Sequence, residues 1–75
     1  MERGMIKTVI VDRGFGFISP ADGHGGDLFF HMRQLAGGLV FGEDLKGREV
    51  EFIGELDPKT NKPRAKLVQP VGGAQ

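Results

Sequence analysis

The chain has no cysteine, no tryptophan and no tyrosine. Without cysteine there is no disulfide framework, no thiolate zinc site and no Cys nucleophile. No apolar run approaches the ~18 residues that a helical membrane span needs. Met1-Glu2-Arg3-Gly4 is followed by Met5-Ile6-Lys7, without the uninterrupted apolar segment of a secretory signal. The expectation is a cytoplasmic domain with no membrane contact. An excess of one charge is missing too: ten Lys and Arg face ten Asp and Glu. The balance hides a segregation, since residues 41–55 hold five acids against two bases and residues 56–75 one acid against four bases. A generic polybasic DNA binder looks different, so affinity for nucleic acid would have to rest mainly on something other than bulk charge.

What is present points to a small fold rich in turns. At 75 residues the chain is long enough for one domain. Leu, Ile, Val and Phe make up 22 of the 75 residues, well above the disorder range. Thirteen glycines argue against long helices, because an interior Gly costs up to ~1 kcal/mol relative to Ala. The stretches Met5 to Asp12, Phe15 to Ser19, Asp27 to Met32, Arg48 to Leu56 and Arg64 to Val68 read as strands, being β-branched, aromatic or alternating. Arg13-Gly14 reads as a bend or bulge and residues 21–26 as a glycine loop. One helical turn is expected at Arg33-Gln34-Leu35, and a long loop over 36–47. Residues 1–4 and 70–75 are expected to fray around a folded 5–69. Five short strands suggest a closed sheet, because closure removes unpaired edges. The predicted architecture is all-β: a five-stranded antiparallel OB-type barrel.

Residues two apart on a strand share a face. Phe15 and Phe17 therefore point one way, with Gly16 and Ile18 opposite. Phe29 and His31 share a face, with Leu28 and Phe30 opposite. If the second and third strands pair as a hairpin, the four rings lie side by side outside, while Ile18, Leu28, Phe30 and, from the fourth strand, Phe52 go to the core. Exposed rings on a sheet suit unpaired bases, at ~1–3 kcal/mol per stacked base. Duplex bases already stack on each other. Lys7, Arg13 and Arg33 stand at or beside these strands, placed to meet phosphates.

Arg13-Gly14-Phe15-Gly16-Phe17-Ile18 resembles a first ribonucleoprotein motif, and Asp27-Leu28-Phe29-Phe30-His31-Met32 a second. Their order, short spacing and preceding Lys7-containing strand resemble the cold-shock domain family, closely over residues 5 to 35 and collinearly from Val50 to Val68. Gly16 to Gly23 is also similar to the calcium-regulated heat-stable branch of that family. The resemblance implies an OB barrel that binds single-stranded RNA or DNA with little sequence preference, as an RNA chaperone or a regulator of transcription or translation. It implies Phe15, Phe17, Phe29 and His31 as stacking residues, Lys7 as a backbone contact and Asp27 as a polar contact. Phe41 would be the loop aromatic. Bacterial members usually carry Trp-Phe where this chain has Thr8-Val9, and an aromatic where it has Met32. Met32 can still pack on a base through its thioether. The loss of one or two platforms predicts binding at least about tenfold weaker than in a fully equipped member.

A protein-interaction module could use the same Phe15, Phe17 and Phe29 patch. The RNA-recognition motif carries an RGFGF-type stretch, but its second motif precedes its first and it needs two helices. A metal site from Asp22, His24, Asp27 and His31 lacks fixed spacing, and His24 reads as solvated. No nucleophile–base spacing, GxGxxG loop or Walker motif supports an enzyme. The expectation is therefore a monomer with no cofactor, no metal and no small-molecule substrate.

Overall fold

In the computed structural model, which describes residues 1–23 and 26–72, the strands are β1 (Glu2–Ile10), β2 (Phe15–Pro20), β3 (Leu28–His31), β4 (Glu49–Leu56) and β5 (Pro63–Pro70). They close in the order β1-β2-β3-β5-β4. Every pairing is antiparallel except β3 with β5, where Phe29 meets Arg64 in parallel and shuts the barrel. The OB-type barrel expected from the sequence is thus present, and the described residues contain short 3-10 turns but no α-helix.

Ile6, Ile18, Phe30, Val50, Phe52 and Val68 are fully enclosed, with Leu28, Leu45 and Ala65 almost so. Each large apolar side chain buried this way is worth about 1.5–3 kcal/mol, which is how so short a chain holds a core. Alternation on the hairpin works as the sequence predicts: Gly16, Ile18, Leu28 and Phe30 are buried, and Phe15, Phe17, Phe29 and His31 are half-buried on the other face. Gly16 is a packing requirement. A Cβ there would run into the Thr8 carbonyl oxygen and stand 2.8 Å from the Phe30 ring.

Several boundaries differ from the sequence reading. β1 starts at Glu2, before the expected Met5, because Glu2 to Gly4 pair with Val50 to Phe52 and are not frayed. Polar Glu2-Arg3 conceals this; the buried Gly4 lets β1 cross close to β2, where a Cβ would lie 2.6 Å from the Ser19 carbonyl oxygen. Residues 11–13 form a 3-10 turn, ended by Gly14 at φ 77°, and the β1 bulge falls between Ile6 and Thr8. β3 is shorter than Asp27 to Met32, since Met32 enters a 3-10 turn with Arg33 and Gln34. The 36–47 loop holds another 3-10 turn, Glu43–Leu45, which delivers Leu45 to the core. In β5, Ala65 faces inward but Leu67 does not follow it. Leu67 takes φ 54° opposite the Glu51/Ile53 register shift, turns outward, and sends Val68 into the core instead. Pro70 pairs with Val50, so the expected fraying does not begin there; residues 73–75 and His24 lie outside the described residues.

Candidate nucleic-acid interface

Pairing of β2 with β3 sets Phe17 opposite Phe29 and Phe15 opposite His31. The ring centroids lie 5.2 Å apart for Phe15–Phe29, 6.0 Å for Phe15–Phe17 and 6.1 Å for Phe17–Phe29. Two of the pairs are edge-to-face and one is tilted. This is the geometry in which aromatic quadrupoles attract, so the rings brace one another while remaining partly open to solvent. The rigid barrel wall behind them keeps the platform in place without a ligand.

His31 extends this platform. Its Nδ1 accepts a hydrogen bond of 3.1 Å from the Arg33 backbone N–H, capping the 3-10 turn that follows β3. With Nδ1 accepting, Nε2 is the ring nitrogen left to donate. Met32 is anchored by its N–H to the Gly14 carbonyl at 2.9 Å, and its side chain is exposed beside the turn at Val11–Arg13. Arg13 is exposed on that turn. On β1, Thr8 stands opposite Phe17, so the ring row stops there at a hydroxyl.

Lys7 and Asp27 meet each other across the platform's edge: Lys7 Nζ donates to Asp27 Oδ2 at 3.2 Å. Both are exposed enough that the pair is worth at most about 1 kcal/mol, so either partner can be taken over by a ligand. Phe41 is half-buried and packs on the hydrophobic core with Leu35 and Leu39. Among the described residues it forms no ring pair with Phe15, Phe17 or Phe29.

Arg64 and Lys66 stand next to this face. Arg64 is the parallel partner of Phe29. Together with Phe29, His31, Gln34 and Glu55 they line a shallow cavity of about 300 Å³. Arg64 Nε donates to Glu55 Oε2 at 2.6 Å and Nη1 to Asp57 Oδ2 at 3.4 Å, while Lys66 Nζ lies 3.3 Å from Glu55 Oε1. Hydrogen bonds from Arg64 and then Lys66 hold the Glu55 carboxyl below its usual range. Asp57 is lowered chiefly by the Lys59 backbone N–H, which donates at 2.8 Å. Local periodicity places Arg64 on the outer face of β5, but only barrel closure shows that β5 lies beside β3.

A half-open phenylalanine platform edged by cations thus lies on one wall of a small closed five-stranded barrel, the architecture of an OB-type domain. The chain belongs to the cold-shock domain family: residues 2–71 match the family described as the 'cold-shock' DNA-binding domain. It is 36% identical over 70 residues to cold shock-like protein CspA of Bordetella pertussis, covering 92% of this chain and 97% of that one. To cold shock-like protein CspB of Yersinia pestis it is 41% identical over 56 residues, 75% of this chain and 77% of that one. Human calcium-regulated heat-stable protein 1 is 36% identical over 64 residues, covering 84% of this chain and 41% of the human protein.

Proposed function

We propose that this domain binds unpaired RNA or DNA with little sequence preference, by stacking bases on Phe15, Phe17 and Phe29 with His31 at the end of the row. The observation that carries this reading is the three-ring cluster on the open face of β2 and β3, with centroids 5.2–6.1 Å apart. Phosphates meet Lys7 and Arg13, Asp27 offers a carboxylate to base edges, and Met32 contributes a thioether at the rim. Phe41 joins only from its seat on the core. The domain acts as a cytoplasmic monomer that traps strands as they open. It thereby opposes RNA secondary structure without ATP, as an RNA chaperone or a regulator of transcription or translation.

Fluorescence anisotropy of a labelled thymidine or uridine heptamer, against the same sequence as duplex, tests this directly. The label sits on the oligonucleotide because the protein has no Trp or Tyr. Binding to the single strand alone is expected, with a shallow salt dependence that reflects ~2–4 phosphate contacts. Equal binding to duplex, or a steep salt slope, contradicts stacking as the main source of affinity. Absence of binding to either form would turn the phenylalanine patch into a protein-docking surface.

A further inference from the structure

The aromatic face does not end at Phe17. Ser19 is the next outward residue of β2, and it pairs with Met5 of β1. Here the surface drops into a groove of about 670 Å³, whose lining includes Met5, Pro20, Ala21 and Val71. Arg3, Lys7 and Lys46 line it against a single carboxylate, Glu49. Lys7 joins the two regions, because it lines the groove while its ammonium bonds Asp27 at the platform edge.

Two stretches of the lining are tied to β1 by backbone hydrogen bonds. Gly47 N–H donates to the Ile6 carbonyl at 2.8 Å, which seats Lys46 beside the strand. On the other side, Ala21 N–H donates to the Arg3 carbonyl at 2.9 Å. A groove held in this way is formed before any ligand arrives, so little ordering entropy is lost on binding. Arg3 is partly engaged by Glu51 at 3.6 Å and Lys7 by Asp27 at 3.2 Å, but among the described residues no ion pair engages Lys46.

We propose that this groove is a second binding segment for the same single strand, taking the nucleotides that run past Phe17 and Lys7, with Lys46 and Arg3 meeting phosphates and Met5 packing on a base or sugar. The inference rests on the stacking reading and extends it. A lining that mixes apolar side chains with cations suits a chain of flat bases on an anionic backbone. An uncharged apolar partner would leave Lys46, which no ion pair among the described residues engages, unanswered.

The test uses thymidine oligomers of two lengths, a heptamer and a dodecamer, titrated across salt concentrations against the wild-type protein and Lys46→Glu. For the wild type, the dodecamer should show a steeper salt slope than the heptamer, by about 0.7 for each added phosphate contact. Lys46→Glu should remove that increment and leave heptamer affinity unchanged. Comparing slopes cancels the extra registers that a longer strand offers. Equal slopes for the two lengths, with the heptamer still bound, overturn the groove and leave the platform standing. If neither oligomer binds, both readings fall. Saturable binding of an oligo-glutamate peptide that Lys46→Glu abolishes, without a length effect for thymidines, would assign the groove to acidic protein segments and overturn the proposal.

Discussion

The two faces of the β2–β3 hairpin use the same amino acid for opposite purposes. Phe30 points inward and is fully enclosed, while its sequence neighbour Phe29 points outward into a half-open cluster with Phe15 and Phe17. Hydrophobicity is identical; only strand parity differs. A slip of one residue in register would exchange the two sets, placing the platform in the core and the core in solvent. The contrast teaches that the assignment of a phenylalanine to stability or to binding is made by the backbone, here by the pairing of Phe17 with Phe29 and of Gly16 with Phe30.

The largest effect should come from the inner face. Phe30→Ala is expected to lower stability by about 3–5 kcal/mol, enough to unfold much of a domain this small, as urea titration would show. Adding bulk to the same face is the next way to break the contrast. Gly16→Ala pushes a methyl into the Phe30 ring and the Thr8 carbonyl. A loss of about 1–3 kcal/mol is expected from such overpacking, read from the same titration. On the outer face, Phe17→Ala or Phe29→Ala should weaken oligonucleotide binding by ~1–3 kcal/mol while changing stability much less than Phe30→Ala. Unfolding by Phe17→Ala with binding intact per folded molecule would reverse the face assignment.

Thr8→Phe sharpens the comparison from the other direction. Thr8 faces Phe17 across β1 and β2, so a ring there lengthens the platform. It should tighten single-strand binding by about 1 kcal/mol with no gain for duplex. The smallest effect belongs to the β4–β5 ion pairs. Glu55 and Asp57 are both held below their usual range in the fold. Their contribution to stability is therefore present above the ordinary carboxylate pKa of about 4, and is lost as pH falls through the lower folded values. Both are solvent-facing, so the drop in melting temperature on acidification should be slight and should shrink further in Glu55→Gln.

Most of this contrast was legible before folding. Alternation in Phe15-Gly16-Phe17-Ile18 and Leu28-Phe29-Phe30-His31 separates the two faces by parity alone, and Gly16 marks where the inner face admits no side chain. What stayed hidden depends on partners far along the chain. Arg64 reaches Phe29 only because β5 closes in parallel on β3. Leu67 turns outward through a left-handed backbone that no alternation reveals. Leu45 enters the core from a segment with neither helical nor strand periodicity. The Lys46 groove exists only because residues 47 and 48 bond to β1.

The most direct test of the central claim is the response of the six phenylalanine ring signals in proton NMR to a thymidine heptamer. Stacking on the outer face predicts large upfield shifts, saturating together, for the rings of Phe15, Phe17 and Phe29, with Phe30 and Phe52 nearly unmoved. Shifts spread equally over the enclosed and outward rings, or confined to signals away from the hairpin, would contradict it.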